Sequence, residues 1–177
     1  MASGFPLYVD LHGNNCTVFG GGPSALRRVR ELLHFGAKVT VISPELCDEL
    51  KAMSSRHEFR YLPRKYYRGD CTNSQLCVAA TDNPALNISI STECKAKAIP
   101  VNVTNPAVYG NFHFPRTILQ GDLAIAVGGN LPSEQLRSLR DQILAALPDM
   151  LRRAAQTPPT SPPDEDGEDP DEELFAE

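Results

Sequence analysis

The chain has 177 residues, 41% of them hydrophobic, and carries a formal net charge of −5. This composition is typical of one globular domain with a small appendage and excludes a wholly disordered chain. No apolar run approaches the roughly 20 residues of a membrane-spanning helix, and no basic segment followed by an apolar stretch opens the chain. The sequence therefore predicts a cytoplasmic protein without a membrane partner.

The acidic charge is concentrated at one end of the chain. Residues 157–177 contain nine acidic residues, no basic residue and several prolines, which predicts a disordered tail. Without these residues the chain has 13 acidic against 17 basic residues. That balance suits an acidic ligand but is too weak to indicate nucleic-acid binding.

The cysteines give no sign of a disulfide framework or a structural zinc site, because they are odd in number and form no CxxC pair. We therefore expect free thiols and no bound metal. The five residues are Cys16, Cys47, Cys71, Cys77 and Cys94.

Short apolar segments alternate with helical segments up to about residue 103. Five strands are predicted, at residues 16–19, 38–42, 58–62, 75–80 and 99–103. Three helices are predicted between them, at residues 23–35, from Ser43 to about 54, and from Asn83 to about 97. The last two each begin with an N-cap residue followed by proline. This succession predicts an α/β fold with a doubly wound parallel sheet.

A different pattern follows residue 106. Apolar runs at residues 117–119 and 123–127 predict a hairpin, and a helix is predicted from near Pro132, with a break or kink at Pro148. This unit is too small to fold alone, and its apolar face needs cover, so we predict a dimerisation element. The predicted organisation is a sheet domain at 1–106, the dimerisation element at 107–156 and the tail at 157–177.

A glycine-rich loop joins the first predicted strand to the first helix. Residues 20–25 match G-x-G-x-x-A in the strand–turn–helix context that a dinucleotide-binding, Rossmann-like unit requires. Gly20 would permit the tight turn and Gly22 the close approach of a diphosphate, while Ala25 would let the helix pack on the sheet. Pro23 and Ser24 complete the first turn, whose positive dipole favours phosphate. The alternative is a glycine-rich turn without a ligand.

The end of the second predicted strand leaves the choice between NAD and NADP open. An acidic residue commonly holds the ribose hydroxyls there, but this chain has Ser43, Pro44 and Glu45, with no arginine clamp for a 2′-phosphate. We predict these three residues, together with Thr81 after the fourth strand, as part of the cofactor site.

Five segments resemble the precorrin-2 dehydrogenase family, the N-terminal domain of siroheme synthases, in order and spacing. They are residues 6–22, 36–46, 79–87, 101–115 and 121–132, and the resemblance covers about residues 5–145. It implies oxidation of precorrin-2 to sirohydrochlorin on the route to siroheme, with NAD as hydride acceptor. It also implies a homodimer whose interface is made by the segment after the Rossmann unit.

The implied substrate carries many carboxylates, so the resemblance implies a basic cleft. The candidates for substrate binding are Arg27, Arg28 and Arg116, followed by Arg64, Lys65 and Arg68. The alternative for each of them is an ordinary solvated surface charge.

The chain departs from the family at the residue expected to act as general base. The family usually has N-V-x-D after the fifth strand, and here Asn105 stands in place of the aspartate. An amide has no useful basicity near neutral pH, although Asn105 could orient substrate or water. Asp82 is a possible substitute base, with helix capping as its alternative, and His113 is a possible proton shuttle, with a structural role as its alternative.

A second departure bears on iron insertion, which some family members perform. Leu131 replaces a common serine, and the helical region before the tail is short, so the sequence does not support a chelatase. Two alternatives to the dehydrogenase stay open. One is a catalytically impaired relative that binds NAD or a tetrapyrrole as a sensor, carrier or partner subunit, and the other is a ligand-free structural subunit.

Overall fold

The computed structural model describes residues 4–156 of the chain. The predicted tail at 157–177 lies outside the described residues. The chain divides between Pro115 and Arg116 into two compact units.

The first unit is built on a five-stranded parallel sheet with the strand order β3-β2-β1-β4-β5. The strands are β1 (Asn15–Phe19), β2 (Lys38–Ile42), β3 (Arg60–Leu62), β4 (Leu76–Ala79) and β5 (Val101–Val103). The order reverses beside β1, as it does in doubly wound sheets, and ligands of such folds bind where the carboxyl ends of the strands meet this switch. The predicted Rossmann-like α/β fold is confirmed.

Three helices cover the sheet: α1 (Pro23–His34), α2 (Asp48–Ser55) and α3 (Pro84–Ala96). Two apolar clusters form the core. Val18 of β1 and Val29 of α1 belong to one cluster, whereas Phe19 of β1 and Ile90 of α3 belong to the other. Because successive side chains of a strand point to opposite faces, Val18 and Phe19 place one cluster on each face of the sheet.

Helix α2 begins later than the sequence predicts. The sequence predicts Ser43 as its N-cap, but the Ser43 hydroxyl instead donates to the Glu45 carbonyl oxygen at 2.7 Å. The Cys47 amide donates to the Gly21 carbonyl oxygen at 2.7 Å. These contacts hold the segment after β2 as a loop against the glycine turn, so the helix starts only at Asp48.

The second unit is the predicted hairpin and helix. Strands β6 (Arg116–Gln120) and β7 (Leu123–Val127) are antiparallel, and α4 (Ser133–Ala154) contacts both of them. Of the two outcomes predicted at Pro148, a break or a kink, the break is wrong, since the helix continues to Ala154. Pro148 cannot donate the usual amide hydrogen bond of a helix. Leu147, immediately before it, is buried, and its packing offsets this loss.

Residues 107–115, which the sequence assigned to the second unit, belong to the first. They include a 3₁₀ turn at Ala107–Tyr109. The Asn111 amide donates to the Val101 carbonyl oxygen at 2.9 Å, and the Asn102 side chain donates to the Phe112 carbonyl oxygen at 3.1 Å. These hydrogen bonds tie the segment to β5.

None of the helices within residues 4–156 is both long enough and apolar enough to cross a membrane.

Candidate functional site

The first two glycines of the loop between β1 and α1 are required by packing within the protein. Gly20 has φ +118°, and a Cβ on it would lie 2.3 Å from the Ala80 carbonyl oxygen. A Cβ on Gly21 would lie 1.9 Å from the Glu45 carbonyl oxygen. The loop is therefore pressed between the turn after β4 and the turn after β2, and any side chain at either position would displace backbone.

Gly22 differs, because an added Cβ would meet no atom within 4 Å. Gly22 is the N-cap of α1, and no side chain within residues 4–156 caps this helix. Pro23 has no amide hydrogen, and in the same described range the amides of Ser24 and Ala25 have no acceptor. A bare helix N-terminus with space above it fits a phosphate group in both charge and hydrogen bonding.

The residues after β2 lie directly beside the glycine loop. Ser43 is buried, and its Oγ would lie 2.9 Å from a Cβ on Gly21. Its hydroxyl proton is used within the loop, and the Tyr61 hydroxyl donates to the Ser43 carbonyl oxygen at 3.1 Å. Pro44 and Glu45 are exposed, so of these three residues only Glu45 offers a charged group to solvent at this edge.

The turn after β4 is held by its own hydrogen bonds. Asn83 caps α3, since its Oδ1 accepts from the amides of Ala85 and Leu86 at 3.0 and 3.2 Å. The capping role weighed for Asp82 therefore falls to Asn83, and the Asp82 side chain is exposed. The Thr81 hydroxyl lies 2.7 Å from Oδ1 of Asn87, and its amide donates to the same oxygen at 3.1 Å.

A cleft of about 270 Å³ opens between the first turns of α1 and the segment after β5. Its lining brings together four of the residues that the sequence singled out, Ser24, Arg27, Arg28 and His113. The other lining residues are Asn102, Val103, Thr104, Ala107 and Phe114. Neither Asn105 nor Asp82 belongs to the lining, although Asn105 directly follows Thr104.

The two cleft arginines have different surroundings. The guanidinium carbon of Arg28 lies 4.1 Å from the centroid of the Phe114 ring, and its Nη1 donates to the Glu31 carboxylate at 2.7 Å. Arg27 is exposed, and within residues 4–156 it forms no ion pair. Arg27 is therefore the cleft guanidinium whose charge is not already engaged.

The remaining basic candidates are not among the residues that line this cleft. Arg116 belongs to the second unit, where its guanidinium donates to the Ser133 hydroxyl at 2.5 Å. Arg64 makes two hydrogen bonds of 2.7 and 2.8 Å to Asp70 and thereby holds the pKa of that carboxyl below its usual value. Lys65 and Arg68 are exposed and do not line the cleft.

Sequence reasoning missed the residues that shape the cleft walls. Asn102 and Phe114 lie in segments that the resemblance marked, but neither was singled out. Asn87 was also missed, although it is fully buried and occupies the apolar stripe of α3 together with Ile90 and Cys94. A polar residue on such a stripe is the signal that could have found it, since a buried amide needs hydrogen-bond partners.

A second polar cluster lies away from the cleft, around Glu93 of α3. Burial raises the pKa of this carboxyl, but hydrogen bonds from Lys97, Tyr66, Cys71 and the Gly69 amide outweigh that effect and hold the pKa at about 2. Burial raises the pKa of Cys71 to about 12, so this thiol stays protonated. Over residues 4–156, no group of three or more His, Cys, Asp and Glu side chains could hold a metal ion.

Residues 7–116 match the family described as "Putative NAD(P)-binding". The chain is 39% identical over 153 residues to the siroheme synthase of Thioalkalivibrio sulfidiphilus. This match covers 85% of this chain and 31% of that protein. It is 34% identical over 154 residues to the siroheme synthase of Chromobacterium violaceum, covering 86% of this chain and 33% of that protein. The chain thus spans about a third of the length of these curated relatives.

Among solved structures, the fold resembles that of SirC, a precorrin-2 dehydrogenase, with a TM-score of 0.69. The two chains share 24% sequence identity, and the match covers 80% of this chain and 70% of SirC.

Proposed function

This chain belongs to the NAD(P)-binding family that its residues 7–116 match, and we propose that it is an oxidoreductase of siroheme biosynthesis. The proposed reaction is the NAD-dependent oxidation of precorrin-2 to sirohydrochlorin. The siroheme synthases at 34% and 39% identity support the pathway, and the family match supports the nicotinamide dinucleotide. We propose that the reaction takes place in the cytoplasm, where free cysteines such as those of this chain stay reduced.

The observation that carries this proposal is the bare N-terminus of α1 beside an open cleft. The amides of Ser24 and Ala25 have no acceptor within residues 4–156, and Gly22 leaves space above them. We assign the diphosphate of the dinucleotide to this N-terminus, with Pro23 in the first turn and Gly20 making the bend. When bound, the dinucleotide supplies the carbon that accepts a hydride.

We assign the ribose of the dinucleotide to the turns after β2 and β4, which contact the glycine loop. The exposed Glu45 carboxylate lies in the loop that touches Gly21, and it can accept hydrogen bonds from ribose hydroxyls. Ser43 and Pro44 border the same place. Thr81 belongs to the turn after β4, whose Ala80 carbonyl contacts the loop at Gly20.

We assign the tetrapyrrole to the cleft beside α1. Precorrin-2 carries many carboxylates, and Arg27 provides an exposed cation at the cleft lining. Arg28 forms part of the wall through its stack on Phe114. Arg116 stays a prediction from the sequence, since it belongs to the other unit.

Oxidation of precorrin-2 removes a hydride and a proton, so the chain must supply a proton acceptor. Asn105 cannot accept this proton, because an amide is not basic near neutral pH. His113 lines the cleft and carries an imidazole, and we assign the proton to it, with the exposed Asp82 as the second candidate. Asn105 then keeps an orienting role.

The experiment is anaerobic incubation of the purified protein with precorrin-2 and NAD, followed by the absorbance of reduced nicotinamide and of sirohydrochlorin. We expect both to appear together in wild-type protein and to be strongly reduced in His113→Gln. Absence of turnover in wild-type protein that binds NAD would overturn the enzymatic proposal.

That outcome would favour the second candidate function, a non-catalytic relative that binds NAD or a tetrapyrrole as a carrier, sensor or partner subunit. The observation behind it is Asn105 in the position of the family's aspartate. Titration of precorrin-2 into the protein, followed by the change in tetrapyrrole absorbance, separates a binder from a subunit that binds neither ligand.

We propose that a second copy of this chain covers the apolar side chains that α4 leaves exposed. Leu139, Leu144 and Met150 are 41%, 44% and 54% exposed. Sedimentation equilibrium should give a dimer, and Leu144→Glu should weaken it. A monomer at all concentrations would contradict this assembly.

A further inference from the structure

Helix α3 carries two polar side chains that are almost completely buried. Asn87 and Ser91, one helical turn apart, are 0% and 2% exposed. Both lie among the buried residues of α3, and neither lines the cleft. We name this pair the loop anchor.

Asn87 joins two turns that follow neighbouring strands. Its Oδ1 accepts the Thr81 amide at 3.1 Å and the Thr81 hydroxyl at 2.7 Å. Its Nδ2 donates to the carbonyl oxygens of Thr81 and Asn105 at 3.0 and 2.9 Å. One side-chain amide has two donor hydrogens and two acceptor lone pairs, so Asn87 uses all of them on these two turns.

Ser91 adds a second connection to the same segment after β5. Its hydroxyl donates to the Tyr109 carbonyl oxygen at 2.6 Å. The anchored segment therefore begins at Asn105 and ends at Tyr109. It contains Ala107 and directly follows Thr104, and both of these residues line the cleft.

The cost of burying these groups indicates what they do. An apolar side chain would fill the space in α3 without having to be desolvated, whereas a buried amide is tolerated only when its hydrogen bonds are made. What the amide adds is a fixed register between the turn after β4, which contacts Gly20 through Ala80, and the turn after β5, which borders the cleft.

We propose that Asn87, assisted by Ser91, is a positioning residue that holds the two edge turns in one arrangement during hydride transfer. Through Thr81 and Ala80 it is connected to the glycine loop, and through Asn105 to the cleft wall. This inference rests on the proposed function, because it assigns the two turns to the two reactants. Small displacements between reactants lower rates steeply, so loosening this register lowers turnover more than binding.

The test compares three variants of the full chain. Asn87→Leu keeps the approximate size of the side chain and removes all four hydrogen bonds. Ser91→Ala removes only the bond to Tyr109 and is small enough to leave folding intact. Asn83→Ala is the matched control, because it removes two capping bonds from the same helix and no contact with residues 105–109. For each protein, hydrogen–deuterium exchange at residues 104–110 is measured together with kcat and KM for precorrin-2.

We expect faster exchange at residues 104–110 in Asn87→Leu and, to a smaller extent, in Ser91→Ala. We also expect kcat to fall on the order of tenfold or more in Asn87→Leu with KM little changed. Asn83→Ala should lower the melting temperature but leave both the exchange at 104–110 and kcat as in wild type. Unchanged exchange in both anchor variants, or an equal loss of kcat in the control, would overturn the proposal.

Two further outcomes are kept apart by this design. If Asn87→Leu does not fold, Ser91→Ala carries the same comparison alone. If wild-type protein oxidises no precorrin-2, the proposed function fails, whereas the hydrogen–deuterium exchange at residues 104–110 still decides whether the anchor fixes the turn after β5.

Discussion

The guanidinium of Arg28 stacks on the ring of Phe114, 4.1 Å from its centroid, and thereby connects α1 to the segment after β5 in the lining of the cleft. The same side chain is paired with Glu31. Arg27, one residue earlier, lines the same cleft without an ion pair within residues 4–156. These neighbouring arginines thus differ in role. Arg28 forms part of the cleft wall, whereas Arg27 faces solvent that a bound ligand would replace.

Replacement of Arg27 by glutamine should weaken substrate binding and little else. We expect the KM for precorrin-2 to rise about tenfold, because one charge-assisted contact to a carboxylate is lost. The affinity for NAD and the melting temperature should stay close to wild type. Arg28→Gln is the matched control, and it should lower the melting temperature because it removes the stack on Phe114 and the pair with Glu31. Equal kinetics for Arg27→Gln and wild type would remove Arg27 from the substrate site.

The glycine loop gives a second pair of contrasting substitutions. Gly21→Ala places a Cβ 1.9 Å from the Glu45 carbonyl oxygen, so backbone must move. We expect a loss of about 1–3 kcal/mol in the free energy of unfolding. Gly22→Ala meets open space at an extended φ of −87° and should change stability by less than about 1 kcal/mol. Urea denaturation measures both, and equal losses would mean that the loop is packed differently.

These two glycines also illustrate what the sequence can and cannot predict. The G-x-G-x-x-A spacing predicted the strand–turn–helix geometry, because backbone conformation is a local property. Packing around the loop is not local. The Cys47 amide reaches Gly21 from beyond β2 and delays α2, although Ser43 and Pro44 carry an ordinary helix-start signal.

The candidate site likewise combines local features, which the sequence predicts, with long-range contacts, which it does not. The start of α1 at Pro23 follows directly from the glycine motif, so the sequence predicts it. The cleft wall was not, because Phe114 meets Arg28 only after the chain has passed through four more strands. The hydrogen bond from Asn87 to the Asn105 carbonyl oxygen also joins residues on either side of β5 in the chain. Helical periodicity can show that Asn87 is buried, but it cannot predict this partner.

Introducing a carboxylate in place of Asn105 tests whether a proton acceptor additional to His113 speeds the reaction. Asn105 follows the cleft residue Thr104, and the Asn105 carbonyl oxygen accepts a hydrogen bond from the Asn87 side chain. The substitution therefore changes the side chain and leaves this backbone hydrogen bond in place. We expect Asn105→Asp to raise kcat for precorrin-2 several-fold, because a carboxylate accepts the proton that an amide cannot. Asn105→Ala serves as control and should not raise it. If Asn105→Asp is no faster than wild type, proton transfer does not limit the reaction at this position.

The Glu93 cluster predicts how stability depends on acid. Burial raises the pKa of Glu93, but its hydrogen bonds hold it at about 2, below the ordinary value of 4.5. A lowered carboxyl pKa contributes stability that is fully present above about pH 4.5 and is lost as the pH falls towards 2. Glu93→Gln should therefore cost about 1–3 kcal/mol at pH 7 and flatten the decline of stability in this window.

Its control is Glu58→Gln, which breaks an ion pair with Arg56 whose side chain is 61% exposed. Exposed pairs contribute little, so this variant should follow the wild-type curve. Chemical denaturation across the pH range provides the measurement. A Glu93→Gln curve parallel to wild type would mean that this carboxyl does not contribute to acid sensitivity.

Calorimetric titration of NAD into wild-type protein and into Gly22→Ala tests whether the N-terminus of α1 binds the diphosphate of the dinucleotide. A methyl group at residue 22 enters the space above the bare amides of α1 while leaving the fold intact. We expect saturable binding of one NAD per chain in wild type and an affinity at least about tenfold weaker in Gly22→Ala. Absence of binding by both NAD and NADP in folded wild-type protein, or equal affinities in the two proteins, would contradict it.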